Sequence, residues 1–180
     1  MRLLAIDPGT ERLGYAVYDD QMVLADGVFQ TEYRLPSEFL LSMTAFVDSL
    51  VEQHSVACVA SERMFDFMAM KGNKRRGGNS ALLKIIPEQL KNWCELRGLP
   101  FLRYSPMTIK KCAAGRGDAE KADVRKVMIG KFTDASRRLD AKSQEDVADA
   151  HGVAWTAIAN HYAELPKKIK TRKSSRSPAS

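Results

Sequence analysis

A chain of 180 residues is long enough for one domain with a proper core. Its 44% hydrophobic and 28% charged residues are ordinary for a soluble globular protein, and the absence of any apolar run of about 18 residues excludes a membrane-spanning helix. "MRLLAIDPGT" lacks a signal peptide's apolar stretch and cleavage site, and three cysteines without a CxxC pair argue against a disulfide framework or zinc site and suit a reducing cytosol.

"MRLLAID" meets Pro8-Gly9 and reads as a strand ending at Asp7. "RLGYAVYD" (12–19) and "MVLADGVFQ" (22–30) follow over short links, which predicts an antiparallel meander. Residues 37–53 place Phe39, Leu40, Met43, Phe46, Val47 and Leu50 at helical spacing, with Ser37 as N-cap. "VACVAS" (56–61) has the continuous apolar run of a strand buried on both faces, and Glu62 stands at its end. Residues 80–97 read as a helix that Pro87 should kink or interrupt. A short strand "LPFLRY" (99–104) precedes Ser105-Pro106, an N-cap followed by proline at the first helical position. A helix to Ala114, a break at Gly115-Arg116-Gly117, a helix 120–132 and a helix 143–162 complete the pattern. A meander followed by alternating helices and strands predicts an α/β three-layer domain with a mixed sheet over residues 1–165.

The tail, residues 166–180, carries six of the 28 basic residues and no acid, so the rest is formally neutral at 22 against 22. Its composition is that of a disordered segment. It could hold phosphates in a salt-dependent way or serve only as a solubilising terminus.

The helix 143–162 carries Asp146 and Asp149 beside the apolar arc of Val147, Ala150, Ala154 and Ile158. An ionised carboxylate facing a packed layer is expensive unless something positive meets it. Capping by the helix macrodipole, worth about 0.3–1 kcal/mol, suits Asp146 near the helix start and suits Asp149 less. Two further acids, Asp7 and Glu62, end apolar strands. Ends of neighbouring strands lie roughly 5 Å apart, and a helix packed across the sheet could present Asp146 and Asp149 to the same point. Four carboxylates there would repel one another, and hard divalent cations such as Mg²⁺ relieve this. Two such ions roughly 3.5–4 Å apart would make a phosphodiester-cleaving centre.

After Glu62, "RMFDFMAMKGNKRRGGNS" has two aromatics and three methionines in its first half and Lys71, Lys74, Arg75 and Arg76 among glycines in its second. It reads either as core followed by a basic loop or as a DNA-contact element. In the second reading Phe65 or Phe67 wedges between bases and the basic residues reach phosphates.

"AIDPGTERLGYAV", "SERMF", "NSALLK", "YSPMTIKKCAAGRGDAEKADVRKVM" and "DVADAHGVA" together resemble the motifs of RuvC-type Holliday junction resolvases, members of the ribonuclease H-like superfamily. The resemblance covers most of residues 1–160. It implies a ribonuclease H-like mixed five-stranded sheet, its first three strands antiparallel, flanked by helices. It further implies a homodimeric crossover junction endodeoxyribonuclease that nicks four-way DNA junctions with two Mg²⁺ ions per site, Mn²⁺ substituting. By the resemblance, Asp7, Glu62, Asp146 and Asp149 are the metal-binding acids, and Lys110 and Lys121 assist at the scissile phosphate. Phe65 matches the base-unstacking aromatic by its spacing from Glu62, and Phe67 could substitute. Lys111 and Arg116 are expected DNA contacts. The chain departs from the family pattern by extra residues before "NSALLK" and by "IIPEQ" in place of a glycine-containing stretch, so sequence preference and dimer geometry transfer less safely than the chemistry. A cytoplasmic, nucleoid-associated or infected-host location goes with such a role, without a membrane partner. The competing readings are a broader fork and flap debranching nuclease, a YqgF-like RNA-processing nuclease, a catalytically silent binder of structured nucleic acid, and an actin-like nucleotide binder.

Overall fold

The computed structural model describes residues 1–63, 80–131 and 141–160. The meander forms as expected: β1 (Arg2–Asp7), β2 (Arg12–Asp19) and β3 (Met22–Gln30) pair antiparallel, with Asp7 opposite Gly14 and Ala16 opposite Asp26. Helix α1 (Pro36–His54) then crosses to β4 (Cys58–Glu62), which lies parallel to β1 with Ile6 opposite Ser61. One step further along that register sets Asp7 beside Glu62. Helix α2 (Ser80–Arg97) leads to β5 (Phe101–Tyr104), parallel to β4, and the sheet order is β3-β2-β1-β4-β5. Among the described residues, three helices follow: α3 (Pro106–Ala114), α4 (Lys121–Lys131) and α5 (Ala141–Asn160). This is the mixed five-stranded sheet flanked by helices that the resemblance implies.

The period-2 rule of strands divides the side chains between two cores. Leu4, Ile6, Leu13, Val17 and Val59 face α1 and α2, meeting large residues such as Phe39, Met43, Ile86 and Leu90. Leu3, Ala5, Ala16, Tyr18, Cys58 and Ala60 face the opposite way and meet Ala150, Val153, Ala154 and Ala157 of α5, with Ile109 of α3. Alanine against alanine lets α5 lie close to the sheet. Helix α4 packs on the outside of α5 through Val124, Met128 and Ala148. Because Asp7 continues the Leu3–Ala5 alternation and Glu62 the Cys58–Ala60 alternation, both acids fall on the α5 side.

Three local expectations are corrected. Ser37 does not cap α1: the helix begins at Pro36, and the Glu38 carboxylate reaches back to accept from the N–H groups of Arg34 (2.8 Å) and Leu35 (3.2 Å). These bonds hold the Glu38 carboxyl below its usual range. Pro87 does not interrupt α2, which runs through it; the helix forgoes the hydrogen bond that this residue cannot donate. Helix α5 is already underway at Ala141, so Asp146 lies beyond its first turn, where the macrodipole no longer helps it. The start of α3 is as expected, with Ser105 Oγ accepting from Thr108 N at 3.1 Å and Pro106 next in line. Its end falls at Gly115, whose φ of 79° is the left-handed geometry that favours glycine.

Candidate active site

The site is built from the ends of two central strands and one flank of α5. Burial, with the negative charges of Asp149, Glu62 and Asp146, holds the Asp7 carboxyl well above its ordinary range, against the opposing pull of Lys121. Glu62 is likewise raised by burial and by Asp149, while Lys121 and Lys110 pull it down. Asp146 is raised chiefly by burial, with Arg12 opposing. The four expected acids therefore share one electrostatic neighbourhood, and both expected lysines act on it.

The helical acids are met by cations. Lys121, the first residue of α4, places Nζ 3.5 Å from Asp149 Oδ2. Arg125, one turn on, places Nη2 3.4 Å from the same oxygen and Nη1 2.9 Å from Glu145 Oε1. The Asp149 carboxylate raises the Lys121 ammonium above its usual range, so it stays charged. Asp146 Oδ2 lies 2.8 Å from Arg12 Nε. Arg12 Nη2 also donates to Ser143 Oγ at 2.6 Å.

Residues of β2, with His151 and Asp26, position α5 without any signal that the sequence analysis picks out. Gly14 lies where a Cβ would stand 2.1 Å from the Asp146 carbonyl oxygen. Arg12, Gly14, Ala16 and Tyr18 are alternate residues of β2, so one face of that strand forms the seat of α5. At the far end of the seat, buried His151 is held on both ring nitrogens: Nε2 lies 3.0 Å from Asp26 Oδ2, and Nδ1 lies 2.6 Å from the Tyr18 hydroxyl. A carboxylate can only accept, so Nε2–H donates to Asp26, and in the neutral ring Nδ1 accepts from Tyr18.

The donor set fits hard divalent cations: the charges of Asp149, Glu62 and Asp146 all bear on the Asp7 carboxyl, and Asp146 Oδ2 is buried without an aligned hydrogen bond. Among the described residues, however, no three ligating side chains converge tightly enough to enclose an ion as they stand. Asp146 and Asp149 are engaged with Arg12, Lys121 and Arg125. The two helical acids are thus met by the chain's own cations, while Asp7 stays under the charge of its neighbours.

Of the expected DNA contacts, Lys111 is exposed in the last turn of α3, and exposed Arg116 pairs with Asp123 at 3.2 Å. Phe65, Phe67, Lys71, Lys74, Arg75, Arg76 and the tail lie outside the described residues.

Residues 3–157 match the family described as crossover junction endodeoxyribonuclease RuvC. The chain belongs to that family. A RuvC of Nocardioides sp. is 32% identical over 88% of this chain and 86% of its own length. The RuvC of Campylobacter hominis is 32% identical, with 89% of this chain and 97% of that protein covered. Among solved structures, Thermus thermophilus RuvC in complex with a Holliday junction substrate superposes with a TM-score of 0.69 at 23% identity, covering 87% of this chain and 92% of the other. That likeness shows the ribonuclease H-like fold. As a RuvC-family chain, the protein is an endodeoxyribonuclease, and no described helix is long and apolar enough to cross a membrane.

Proposed function

We propose that this RuvC-family protein resolves four-way DNA junctions by paired, symmetric, Mg²⁺-dependent nicks. The observation that carries the reading is the acid cluster itself: Asp7, Glu62, Asp146 and Asp149 gathered from β1, β4 and α5, with the Lys121 ammonium acting on Asp7, Glu62 and Asp149. A pure nucleic-acid binder gains nothing from clustered carboxylates facing phosphates.

In this reading the four acids hold two divalent cations, which supply an activated water and charge neutralisation at the leaving oxygen. Lys121 offsets the negative charge that builds on the phosphoryl group, and Lys110, close enough to act on Glu62, does so from α3. Lys121 also holds the Asp7 and Glu62 carboxyls lower than burial and the neighbouring acids would leave them. Two nicks at symmetry-related positions need two sites, which a twofold homodimer supplies. Residues 1–165 form the nuclease domain. Phe65 or Phe67 unstacks bases at the crossover, while Lys71, Lys74, Arg75, Arg76, Lys111, Arg116 and the basic tail hold phosphates. The setting is the cytoplasm.

The test is a cleavage panel at matched salt: four-way junction, fork, flap and duplex, in Mg²⁺ and in Mn²⁺. The expected result is paired nicks at symmetric positions of the junction, with forks, flaps and duplex cut far less. Equal cutting of forks and flaps would mark a general debranching nuclease. Intact substrates throughout would end the nuclease reading.

A further inference from the structure

Arg12 opens β2, and its guanidinium spans one turn of α5, from Ser143 Oγ at 2.6 Å to Asp146 Oδ2 at 2.8 Å. Its side chain is only 15% exposed, so water does little to screen it. Arginine does not give up its proton in proteins, so this charge is permanent. The contact with Asp146 is close but off axis: neither Arg12 Nε nor Asp146 Oδ2 has an aligned hydrogen bond, although both atoms are buried. Such a pair is held by charge more than by directed bonding. A divalent ion carries twice the charge of the guanidinium and competes with it for the same oxygen.

We propose that Arg12 is a built-in counter-cation that competes with a divalent ion for Asp146 and keeps the DNA-free centre poorly loaded with metal. The inference rests on the metal-binding reading of the four acids. Arg12 and the ion both seek the same carboxylate, so each weakens the other's hold. When the ion takes Asp146, the guanidinium remains anchored on Ser143 and is released to a phosphate oxygen, the anion its planar fork fits best. By linkage, whatever draws Arg12 away from Asp146 tightens metal binding by the same factor. Junction DNA would thus favour loading of its own cleavage centre.

The test uses the full chain without DNA and reads Mn²⁺ binding by electron paramagnetic resonance, with circular dichroism and thermal melting to establish folding. Arg12→Gln and Arg12→Met both remove the charge, and the second keeps the apolar stem. Each should bind Mn²⁺ about tenfold more tightly than wild type, within the usual range of coupling between two binding events. Arg12→Lys keeps the charge and should stay near wild type. A purely structural Arg12 predicts the opposite: a lower melting temperature with unchanged or weaker Mn²⁺ binding. If wild type binds Mn²⁺ and neither neutral variant binds it more tightly, the inference is overturned and the metal-binding reading stands. If no form binds Mn²⁺, both are overturned.

Discussion

Gly14 and Asp146 meet backbone to side-chain space: the position a Cβ would occupy on Gly14 lies 2.1 Å from the Asp146 carbonyl oxygen. The strand carrying Gly14 also pairs it with Asp7, so this one glycine touches two of the acid-bearing segments. Gly14→Ala cannot be absorbed by a flexible side chain, because the obstacle is helix backbone. The variant should lose about 1–3 kcal/mol of stability, the usual cost of overpacking, read by denaturant unfolding. It should also lose cleavage at temperatures where it remains folded, because α5 must lift and carry Asp146 and Asp149 with it. Normal cleavage in the folded variant would show that α5 tolerates displacement.

Asp7 sets the pH behaviour of the metal-free protein. Its carboxyl is held well above the ordinary range by burial and by three neighbouring acids. A group whose folded value is raised binds its proton more tightly in the folded state, so stability falls as pH climbs from the ordinary carboxylate range toward the raised value. Asp7→Asn removes that penalty. In the metal-free protein its melting temperature should exceed wild type at neutral pH, and the gap should close below the ordinary carboxylate range. Cleavage should be abolished while junction binding persists, as a gel-shift assay would show. A melting temperature lowered at neutral pH would mean that Asp7 is a structural partner.

Lys121 should influence both rate and pH profile. Lys121→Ala removes a cation aimed at the reacting phosphate and should slow cleavage by about 10²–10³-fold, the scale of losing one electrostatic donor. Lys121 pulls the Asp7 and Glu62 carboxyls down, so without it both rise. The acidic limb of the pH–rate profile should then move to higher pH. An unshifted limb with a slowed rate would leave Lys121 a role at the phosphate alone.

His151 can be separated from the chemistry. His151→Phe keeps a flat ring but leaves Asp26 and Tyr18 without their imidazole bonds in a buried setting. The loss should be about 1–3 kcal/mol, the cost of stranded buried polar groups, measured by urea unfolding. Replacing all three residues with apolar ones should recover part of it. A variant as stable as wild type would show that the histidine contributes nothing to seating α5.

Asp149→Asn should cost metal-dependent cleavage far more than fold stability. Of its two partners, Lys121 is exposed, and the partly buried Arg125 keeps Glu145. Normal cutting by this variant would remove Asp149 from the centre.

Much of this architecture can be read in the sequence because its signals are local. β2 and β3 coincide with the strands predicted at 12–19 and 22–30, and Ser105-Pro106 announces α3. Asp7 and Glu62 stand out as acids closing apolar strands. The cations carry weaker local signals. Arg12 looks like an ordinary residue after a turn, and only the alternation with Gly14, Ala16 and Tyr18 reveals that it faces α5. Arg125 is one turn beyond Lys121, so helical spacing alone could have placed it beside Asp149. Ser37 has a cap's chemistry but not its position, because Pro36, preset for a first helical residue, takes the start of α1. Capping is a tenable alternative for Asp146 on the sequence alone because nothing in "DAKSQED" marks where α5 begins.

The alanine layer between the sheet and α5 carries a consequence for how this enzyme can change over generations. Ala5, Ala16 and Ala60 face Ala150, Ala154 and Ala157. Such a contact offers almost no neutral substitutions: a larger residue wedges the helix outward, and glycine is the one smaller choice. The opposite core, rich in Phe, Leu, Met and Ile, can exchange volumes among neighbours and drift freely. Sequence divergence should therefore collect on the α1–α2 side, while the wall behind the acids stays fixed. A library randomised at both walls and screened for nicking should recover many solutions on one side and very few on the other.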